Sequence, residues 1–264
     1  ISNLLDIYKY HISEDEVDAV IRKSRGVFQS VLIDECRAYR LTSQAYAESV
    51  EMQKNSIDDY IDQFIDEKQI TEPEKCKNKW HEVFGNDNPI YIEIGMGKGD
   101  FIYQNACRYP DINFIGIEKF PSVLAAAINK VNKQVTKVSN MKLIHYDAIE
   151  LKNIFAKGEV DHIFLNFSDP WPKNRHAKRR LTSKQFLSVY QDILVSKGEI
   201  EFKTDNRGLF EYSLVSLNQY PMDLLYVSLD LHNSPENETN IMTEYEKKFC
   251  EKGPIYKLVA RYRE

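Results

Sequence analysis

Residues 90–99 read IYIEIGMGKG, and this stretch decides the fold expected for a chain of 264 residues. The apolar run Ile90–Ile94 predicts a buried strand. Gly95, Gly97 and Gly99 follow at once, and glycines there let the backbone turn tightly and approach a ligand before a helix begins. The spacing is GxGxG, not the GxGxxG of dinucleotide-binding folds. Because such turns also need glycine for packing alone, the stretch by itself identifies no ligand.

The alternation of strand and helix continues to the end of the chain. Further strands are expected at Asn113–Glu118, Lys142–Tyr146, Val160–Phe167, Glu199–Thr204, Leu224–Asp230 and Ile255–Arg261. Helices are expected at Trp80–Phe84, Phe101–Arg108, Ser122–Gln134, Ser183–Leu194 and Arg207–Asn218. This order predicts an α/β fold with a mostly parallel seven-stranded sheet and helices on both faces. Ligands of such sheets bind at the carboxyl ends of the strands.

The front of the chain differs from the rest. Residues 1–70 contain a single glycine, no proline, and apolar residues at helical spacing. Ser13 and Glu16 fit a capping box that starts a helix. Acidic residues outnumber basic ones there, whereas residues 71–264 are slightly basic. We expect an acidic helical extension of unknown role, which either packs on the main domain or a second subunit or binds a partner, followed by one α/β domain.

Composition excludes several classes of protein. With 42% hydrophobic and 28% charged residues the chain is typical of a globular protein, and its net charge of −5 means that any nucleic-acid site must be a local patch. The four cysteines are far apart, so we expect free thiols and no zinc site. Neither a signal peptide nor an apolar run of about 20 residues is evident, which favours a cytoplasmic protein.

Carboxylates stand at the ends of three successive strands. Glu93 adjoins the glycine turn, where it would repel a pyrophosphate and could orient the cationic end of a ligand. Glu118, about twenty residues further on, can accept both hydroxyls of a ribose. Asp147 is placed to accept from an adenine amino group, and equally to cap the turn that follows it. The combination favours a positively charged adenosine ligand over NAD, and it resembles class I methyltransferases that use S-adenosyl-L-methionine.

The fourth strand ends in residues 166–182, NFSDPWPKNRHAKRRLT. One carboxylate, Asp169, lies in a stiff turn with two prolines and Trp171, and a block of positive charge follows. Methyltransferases that act on exocyclic amines carry a short Asn/Asp-Pro-Pro-aromatic motif at this place. Trp171 either stacks on a base or packs under the turn. The basic run suits RNA phosphates, with a solvated surface loop as the alternative.

The chain from about Lys77 onward closely resembles the bacterial tRNA (guanine-N7-)-methyltransferases. The motifs that carry the resemblance are residues 168–180, WHEVFG at 80–85, FKTDN at 202–206 and TEYE at 243–246. The resemblance implies a Rossmann-like class I methyltransferase fold and transfer of the methyl group of S-adenosyl-L-methionine to N7 of a guanine in the variable loop of tRNA. The products would be 7-methylguanosine and S-adenosyl-L-homocysteine.

The resemblance also implies roles for individual residues. Cofactor contacts are expected at Glu93, Gly95, Gly97, Gly99, Glu118, Asp147 and Asp169, and Asp169 is the expected catalytic residue. Contacts to tRNA are expected at Lys173, Arg175, His176, Lys178, Arg179, Arg180, Asp205, Thr243, Glu244, Tyr245 and Glu246. We expect tRNA as the partner, neither DNA nor a membrane, and a monomer or homodimer.

Some alternatives stay open at this point. The guanine edge could be read by Asp169, Asp205 or Glu246, and Asp205 could instead cap the helix that begins at Arg207. A noncatalytic RNA-binding protein with the same fold would not need the four cofactor carboxylates. A methyltransferase of another substrate would not need the basic run.

Overall fold

The structure is a computed structural model, and it describes residues 68–263. Almost all of the helical extension predicted for residues 1–70, with the capping box of Ser13 and Glu16, lies outside the described residues. Within its last positions, Gln69–Ile70 form a short strand, β1. The division into an extension and an α/β domain stays a prediction.

All seven predicted strands are present, and helices cover both faces of the sheet. The strands are β2 (Ile90–Ile94), β3 (Asn113–Glu118), β4 (Met141–His145), β5 (Val160–Asn166), β6 (Leu194–Thr204), β7 (Met222–Ser228) and β8 (Tyr256–Tyr262). The helices are α1 (Trp80–Phe84), α2 (Asp100–Arg108), α3 (Pro121–Asn132), α4 (Lys184–Ile193), α5 (Arg207–Gln219) and α6 (Glu244–Phe249). The main difference in bounds is that β6 begins at the end of α4, at Leu194 rather than Glu199.

The strands of the described region form one mixed sheet of eight strands in the order β1-β4-β3-β2-β5-β6-β8-β7. Strands β1 to β6 pair in parallel, whereas β8 is antiparallel to both β6 and β7. The eighth strand, β1, was not predicted, and it pairs with Leu143 and Ile144 of β4. Connections from β2 lead in one direction to β3 and β4, and then in the other direction to β5 and β6. The sheet therefore has a switch point between β2 and β5, where ligands of open α/β sheets bind.

Two apolar clusters hold the sheet between its helices. On one face, Phe101 of α2 and Leu124 of α3 belong to a cluster with strand residues such as Met141. On the other face, Trp80, Tyr190 and residues of α5 join the larger cluster. The central strands are buried on both faces, which explains why they read as continuous apolar runs in the sequence. Among the described helices, none is long and apolar enough to cross a membrane.

Candidate active site

The carboxyl ends of five neighbouring strands bring the predicted site residues to one edge of the sheet. Along the order β4, β3, β2, β5 and β6, this edge carries Asp147, Glu118, residues 93–99, residues 166–169 and Asp205. The parallel pairing of these strands is what aligns their ends. The edge spans the switch point, so residues far apart in the chain face one region.

The glycine turn after β2 has the geometry of a ligand cradle. Gly95, Gly97 and Gly99 have φ angles of 75°, 57° and 76°, in the left-handed region that favours glycine. A Cβ placed on Gly95 or Gly97 would meet nothing within 4 Å in the described part of the chain. At Gly99 it would meet the Ala127 side chain at 3.5 Å. The backbone conformation and the open space around them thus explain glycine at positions 95 and 97. At position 99, packing against Ala127 contributes as well.

Glu93 lies buried at the end of β2 with half of its carboxylate available. Its Oε1 accepts a hydrogen bond from Asn166 Nδ2 at 2.9 Å, and its Oε2 has no partner among the described residues. Burial raises the pKa of Glu93 to about 8, against the opposing effects of Asn166 and of the positive charge on Lys203. Asn166 Oδ1 and Ser168 Oγ are likewise buried and unpaired within residues 68–263. Unsatisfied buried polar atoms are uncommon, and this group suits the ammonium of a ligand.

Glu118 and Asp147 complete the side of the site formed by β3 and β4. Glu118 is buried and accepts from the backbone N–H groups of Gly97 at 3.1 Å and Phe120 at 2.9 Å. Each carboxylate oxygen keeps capacity for a second bond. Asp147 does cap the turn that follows, since its Oδ1 accepts from the N–H of Ile149 at 3.2 Å, while its Oδ2 pairs with Lys119 at 2.6 Å. The predicted adenine contact of Asp147 stays a prediction.

The turn after β5, residues 167–172, has an unusual backbone. Phe167 and Trp171 have φ angles of 49° and 41°, which non-glycine residues rarely adopt. The Phe167 N–H donates to the carbonyl of Lys203 at 2.8 Å, which fixes the start of the turn on β6. Asp169 is exposed at its apex. The turn therefore holds a carboxylate in solvent beside the buried Glu93 cluster.

Trp171 is partly exposed and faces the basic segment. The Arg179 guanidinium lies 4.8 Å from its ring centroid, and the His176 ring packs edge-on against it at 5.8 Å. Residues 174–179 form a 3₁₀-helix in which every residue is at least partly exposed. Five of the expected RNA contacts are in this segment or just before it: Lys173, Arg175, His176, Lys178 and Arg179.

Arg180 differs from its neighbours in the basic segment because it is buried. Only 9% of the residue is exposed. Its Nε and Nη2 donate to the carbonyls of Pro170 and Trp171, both at 3.0 Å, and its guanidinium lies 4.2 Å from the ring centroid of Tyr212. These bonds use two of the five N–H donors of the guanidinium, and the RNA contact expected of Arg180 stays a prediction at this point.

Asp205 and Tyr245 face the turn from β6 and α6. The Tyr245 hydroxyl donates to Asp205 Oδ2 at 3.1 Å, and both residues are exposed. The Tyr245 ring lies between Phe167 at 5.0 Å and Phe249 at 4.3 Å. The alternative role of Asp205 as a helix cap is wrong, because the side chain of the next residue, Asn206, accepts from the N–H of Leu209 and caps α5.

Thr243 and Glu246 are structural in the described molecule. They form a capping box that starts α6. Glu246 is fully buried: Oε2 accepts from Lys203 Nζ at 2.9 Å, and Oε1 pairs with His232 at 2.8 Å and Asn240 at 2.7 Å. Burial opposes the charge on Glu246, but these partners outweigh it and lower its pKa. Both oxygens of Glu246 are thus bonded within the protein, which favours Asp169 and Asp205 as the residues that read the guanine edge.

Glu244, the remaining residue of the TEYE motif at 243–246, is exposed and pairs with Lys130. Sequence reasoning gave no role to Lys203, Asn166 or Ser168. The first of these carried no clear signal, because β6 alternates polar and apolar residues and Lys203 is in phase with Glu199 and Glu201, which are only partly buried. The other two are ordinary polar residues at a strand end, and only the bond from Asn166 to Glu93 and the buried, unpaired oxygen of Ser168 mark them as part of a site.

The fold and the site define the class of protein. Two solved structures share the fold: an antibiotic-related methyltransferase, with a TM-score of 0.52, 20% identity and coverage of 69% of this chain and 91% of the other, and the 16S rRNA methyltransferase KamB, with a TM-score of 0.54, 11% identity and coverage of 71% and 94%. At these identities the likeness concerns the fold alone. The chain has the α/β fold of class I methyltransferases.

Sequence comparison narrows the class to a family. The family model described as "Putative methyltransferase" matches residues 87–258. A tRNA (guanine-N(7)-)-methyltransferase of Bacillus licheniformis is 57% identical over 195 residues, which cover 74% of this chain and 90% of the relative. The enzyme of that name from Bacillus cytotoxicus is 56% identical, with coverage of 74% and 88%. The chain belongs to the tRNA (guanine-N(7)-)-methyltransferase family.

Proposed function

We propose that this protein transfers the methyl group of S-adenosyl-L-methionine to N7 of a guanine in tRNA, which gives 7-methylguanosine and S-adenosyl-L-homocysteine. One observation carries the proposal: the identity of 57% to a relative of that name over nearly the whole of that relative. The family resemblance further implies a guanine of the variable loop.

The β2–β5 region fits the cofactor. S-adenosyl-L-methionine, when bound, supplies an electrophilic methyl group on a sulfonium. Glu93 Oε2 and Asn166 Oδ1 are unpaired acceptors that suit its ammonium group. The open backbone at Gly95 and Gly97 suits close approach of the ligand. Glu118 is in the position to accept from ribose hydroxyls, and Asp147 from the adenine amino group.

Catalysis by this chain is mainly positioning. Guanine N7 carries an in-plane lone pair and no proton at neutral pH, so no general base is needed to expose the nucleophile. The protein has to hold the nitrogen in line with the methyl carbon and the sulfur. As the N7–methyl bond forms and the sulfur–methyl bond breaks, positive charge develops on the guanine. The exposed carboxylate of Asp169 can stabilise that charge.

We expect exposed carboxylates to recognise the guanine. A carboxylate that accepts from guanine N1–H and N2–H₂ discriminates against adenine, which lacks those donors. Asp169 and Asp205 are exposed on adjacent strand ends and can do this, whereas the buried Glu246 cannot. The Tyr245 ring beside Asp205 offers a surface on which a base can stack.

The basic segment serves the RNA backbone. Lys173, Arg175, Lys178 and Arg179 are exposed on one short 3₁₀-helix and the residue before it. Phosphate contacts of this kind position an RNA without reading its sequence. Because tertiary structure often hides the major-groove edge of a base in tRNA, we expect the nucleotide to be unstacked or flipped before transfer.

The direct test is product analysis. Purified protein is incubated with methyl-labelled S-adenosyl-L-methionine and bulk tRNA, and the tRNA is digested to nucleosides. We expect the label in 7-methylguanosine and none when transcripts carry 7-deazaguanine, which has carbon in place of N7. Label in a different nucleoside, or none in any, would refute the proposed function.

A further inference from the structure

We propose that Arg180 is a positioning residue, which holds the turn of Asp169 in the conformation needed for methyl transfer and does not contact RNA. The proposal rests on the function proposed above. It assigns to Arg180 a role opposite to that of Arg179, the identical residue beside it in the basic segment.

The side chain of Arg180 contacts the turn and the helix behind it. Its two N–H donors bind the carbonyls of Pro170 and Trp171, the two residues that follow Asp169. Its guanidinium plane lies 4.2 Å from the ring of Tyr212, on α5. With 9% exposure, the side chain presents little surface to a phosphate. Arg180 therefore connects the active-site turn to the sheet-covering helix.

The turn needs an external support of this kind. Pro170 and Pro172 have no N–H, so they cannot donate backbone hydrogen bonds within the turn. Trp171 between them has a φ of 41°, and such backbone persists only where the surroundings impose it. Two charge-assisted hydrogen bonds from a planar guanidinium fix two successive carbonyls at once. Arg180 is the described group that makes them.

The segment after Arg180 is itself anchored, so the support is rigid. Thr182 Oγ1 hydrogen-bonds Ser213 Oγ at 2.7 Å, and Ser216 Oγ donates to the Thr182 carbonyl at 2.7 Å. Ser183 Oγ donates to the carbonyl of Lys178 at 2.9 Å. These bonds attach both sides of Arg180 to α5 or to the basic segment. Movement of Asp169 relative to the sheet is therefore resisted through Arg180.

A kinetic experiment separates positioning from phosphate binding. Arg180→Gln, Arg180→Lys and the matched control Arg179→Gln are compared in single-turnover and steady-state assays at several salt concentrations. We expect Arg180→Gln to lower the rate of methyl transfer by about tenfold to hundredfold, the size of effect that follows a misplaced group. The KM for tRNA and the salt dependence of binding should stay near wild type. Arg180→Lys, which keeps a donor, should recover part of the rate.

Arg179→Gln should show the opposite balance: a raised KM for tRNA and a salt slope smaller by about one unit, with a smaller loss of transfer rate than Arg180→Gln. Quenching of tryptophan fluorescence by acrylamide gives a readout that needs no activity. Trp80 is fully buried, so quenching reports mainly on Trp171, and it should increase in both Arg180 variants.

The outcomes are distinct. A raised KM and a reduced salt slope for Arg180→Gln, with an unchanged transfer rate, would overturn the proposal in favour of a phosphate contact. An unchanged rate and unchanged quenching would overturn it as well. If Arg180→Gln does not fold, the same criteria apply to Arg180→Lys and to Tyr212→Leu, which removes the stacking partner. If the wild type forms no 7-methylguanosine, the proposed function fails, whereas the quenching and RNA-affinity comparison still decides where Arg180 acts.

Discussion

The buried and the exposed charged residues at the carboxyl edge of the sheet differ in their hydrogen-bond and ion-pair partners. Lys203, Glu246 and Arg180 are buried, and each is bonded to groups of the chain itself. Asp169 and the basic residues 173–179 are at the surface and available to a ligand. Charge near an active site therefore does not by itself indicate substrate binding. The buried residues are bonded within the protein, and we propose the exposed ones as the residues that contact the substrate.

The largest effect is expected in the buried set. Glu246→Ala leaves Lys203 fully buried without its carboxylate partner, and breaking such a pair typically costs about 3–5 kcal/mol. Chemical denaturation of the variant should show a loss of this size in the free energy of unfolding. The control is Glu244→Ala, two residues away in the same motif, whose carboxylate is exposed and should cost under about 1 kcal/mol.

Equal stability losses in the two variants would contradict the distinction between buried and exposed charges. A stable Glu246→Ala variant with a raised KM for tRNA would instead restore Glu246 as a substrate contact.

The second effect tests the exposed set. Asp169→Asn removes the charge that is proposed to stabilise the developing positive guanine, and loss of one such electrostatic group lowers kcat by about 10²–10³-fold. Because Asp169 is exposed, the melting temperature of the Asp169→Asn variant should stay within experimental error of that of the wild type. The rate is measured in single turnover with saturating cofactor. A variant with near-normal transfer would remove Asp169 from the catalytic role.

Glu93 shares a property with each of the two sets. Its side chain is buried, but only one of its two carboxylate oxygens has a hydrogen-bond partner among the described residues. Its pKa is raised from 4.5 to about 8, so the folded protein holds a proton that the unfolded chain has released over that range. The free energy of unfolding should accordingly fall as the pH rises toward 8, with a slope from this group of up to about 1.4 kcal/mol per pH unit. Below pH 4.5, the pKa of Glu93 in the unfolded chain, Glu93 is protonated in both states, and its contribution to the free energy of unfolding is fully present.

Glu93→Gln, which cannot ionise, should remove this part of the slope in denaturation curves measured across the same range. An unchanged slope would show that Glu93 is ionised in the ligand-free protein. A cationic ligand against Glu93 favours the carboxylate, so cofactor affinity of the wild type should increase as the pH rises toward 8, as measured by calorimetry.

The sequence was sufficient for the centre of the sheet because strands such as β2, β3 and β5 are buried on both faces. Continuous apolar runs such as Ile90–Ile94 predict strands directly. The exception, Gln69–Ile70, is too short for any period to be seen, and only its pairing with β4 makes it a strand. The glycine turn and the carboxylates after β3 and β4 lie at one edge because strand ends in a parallel sheet share it, and their cofactor contacts stay a prediction.

The roles within the site were harder to predict because they depend on distant partners. Arg179 and Arg180 are identical neighbours, and only the fold shows that the second is the one buried against Tyr212 and the turn. Glu246 is fixed by Lys203, which lies 43 residues earlier in the chain. Asp205 and Asn206 both suit a helix cap, and the start of α5 selects the second. In each case, residue type gave the chemistry and the tertiary contact determined its use.

The smallest effect is expected from removal of a single charge in the basic segment, and it is measured in the salt dependence of tRNA affinity. Each exposed residue that contacts a phosphate should reduce the salt dependence of tRNA affinity by about one unit of slope when its charge is removed. Lys178→Gln should therefore lower the slope and weaken binding at low salt, with cofactor affinity unchanged. Lys157→Gln is the matched control, because Lys157 is equally exposed but precedes β5, at the amino edge of the sheet. If both substitutions reduce the slope equally, the RNA responds to the overall charge of the protein, and the basic segment is not its specific contact.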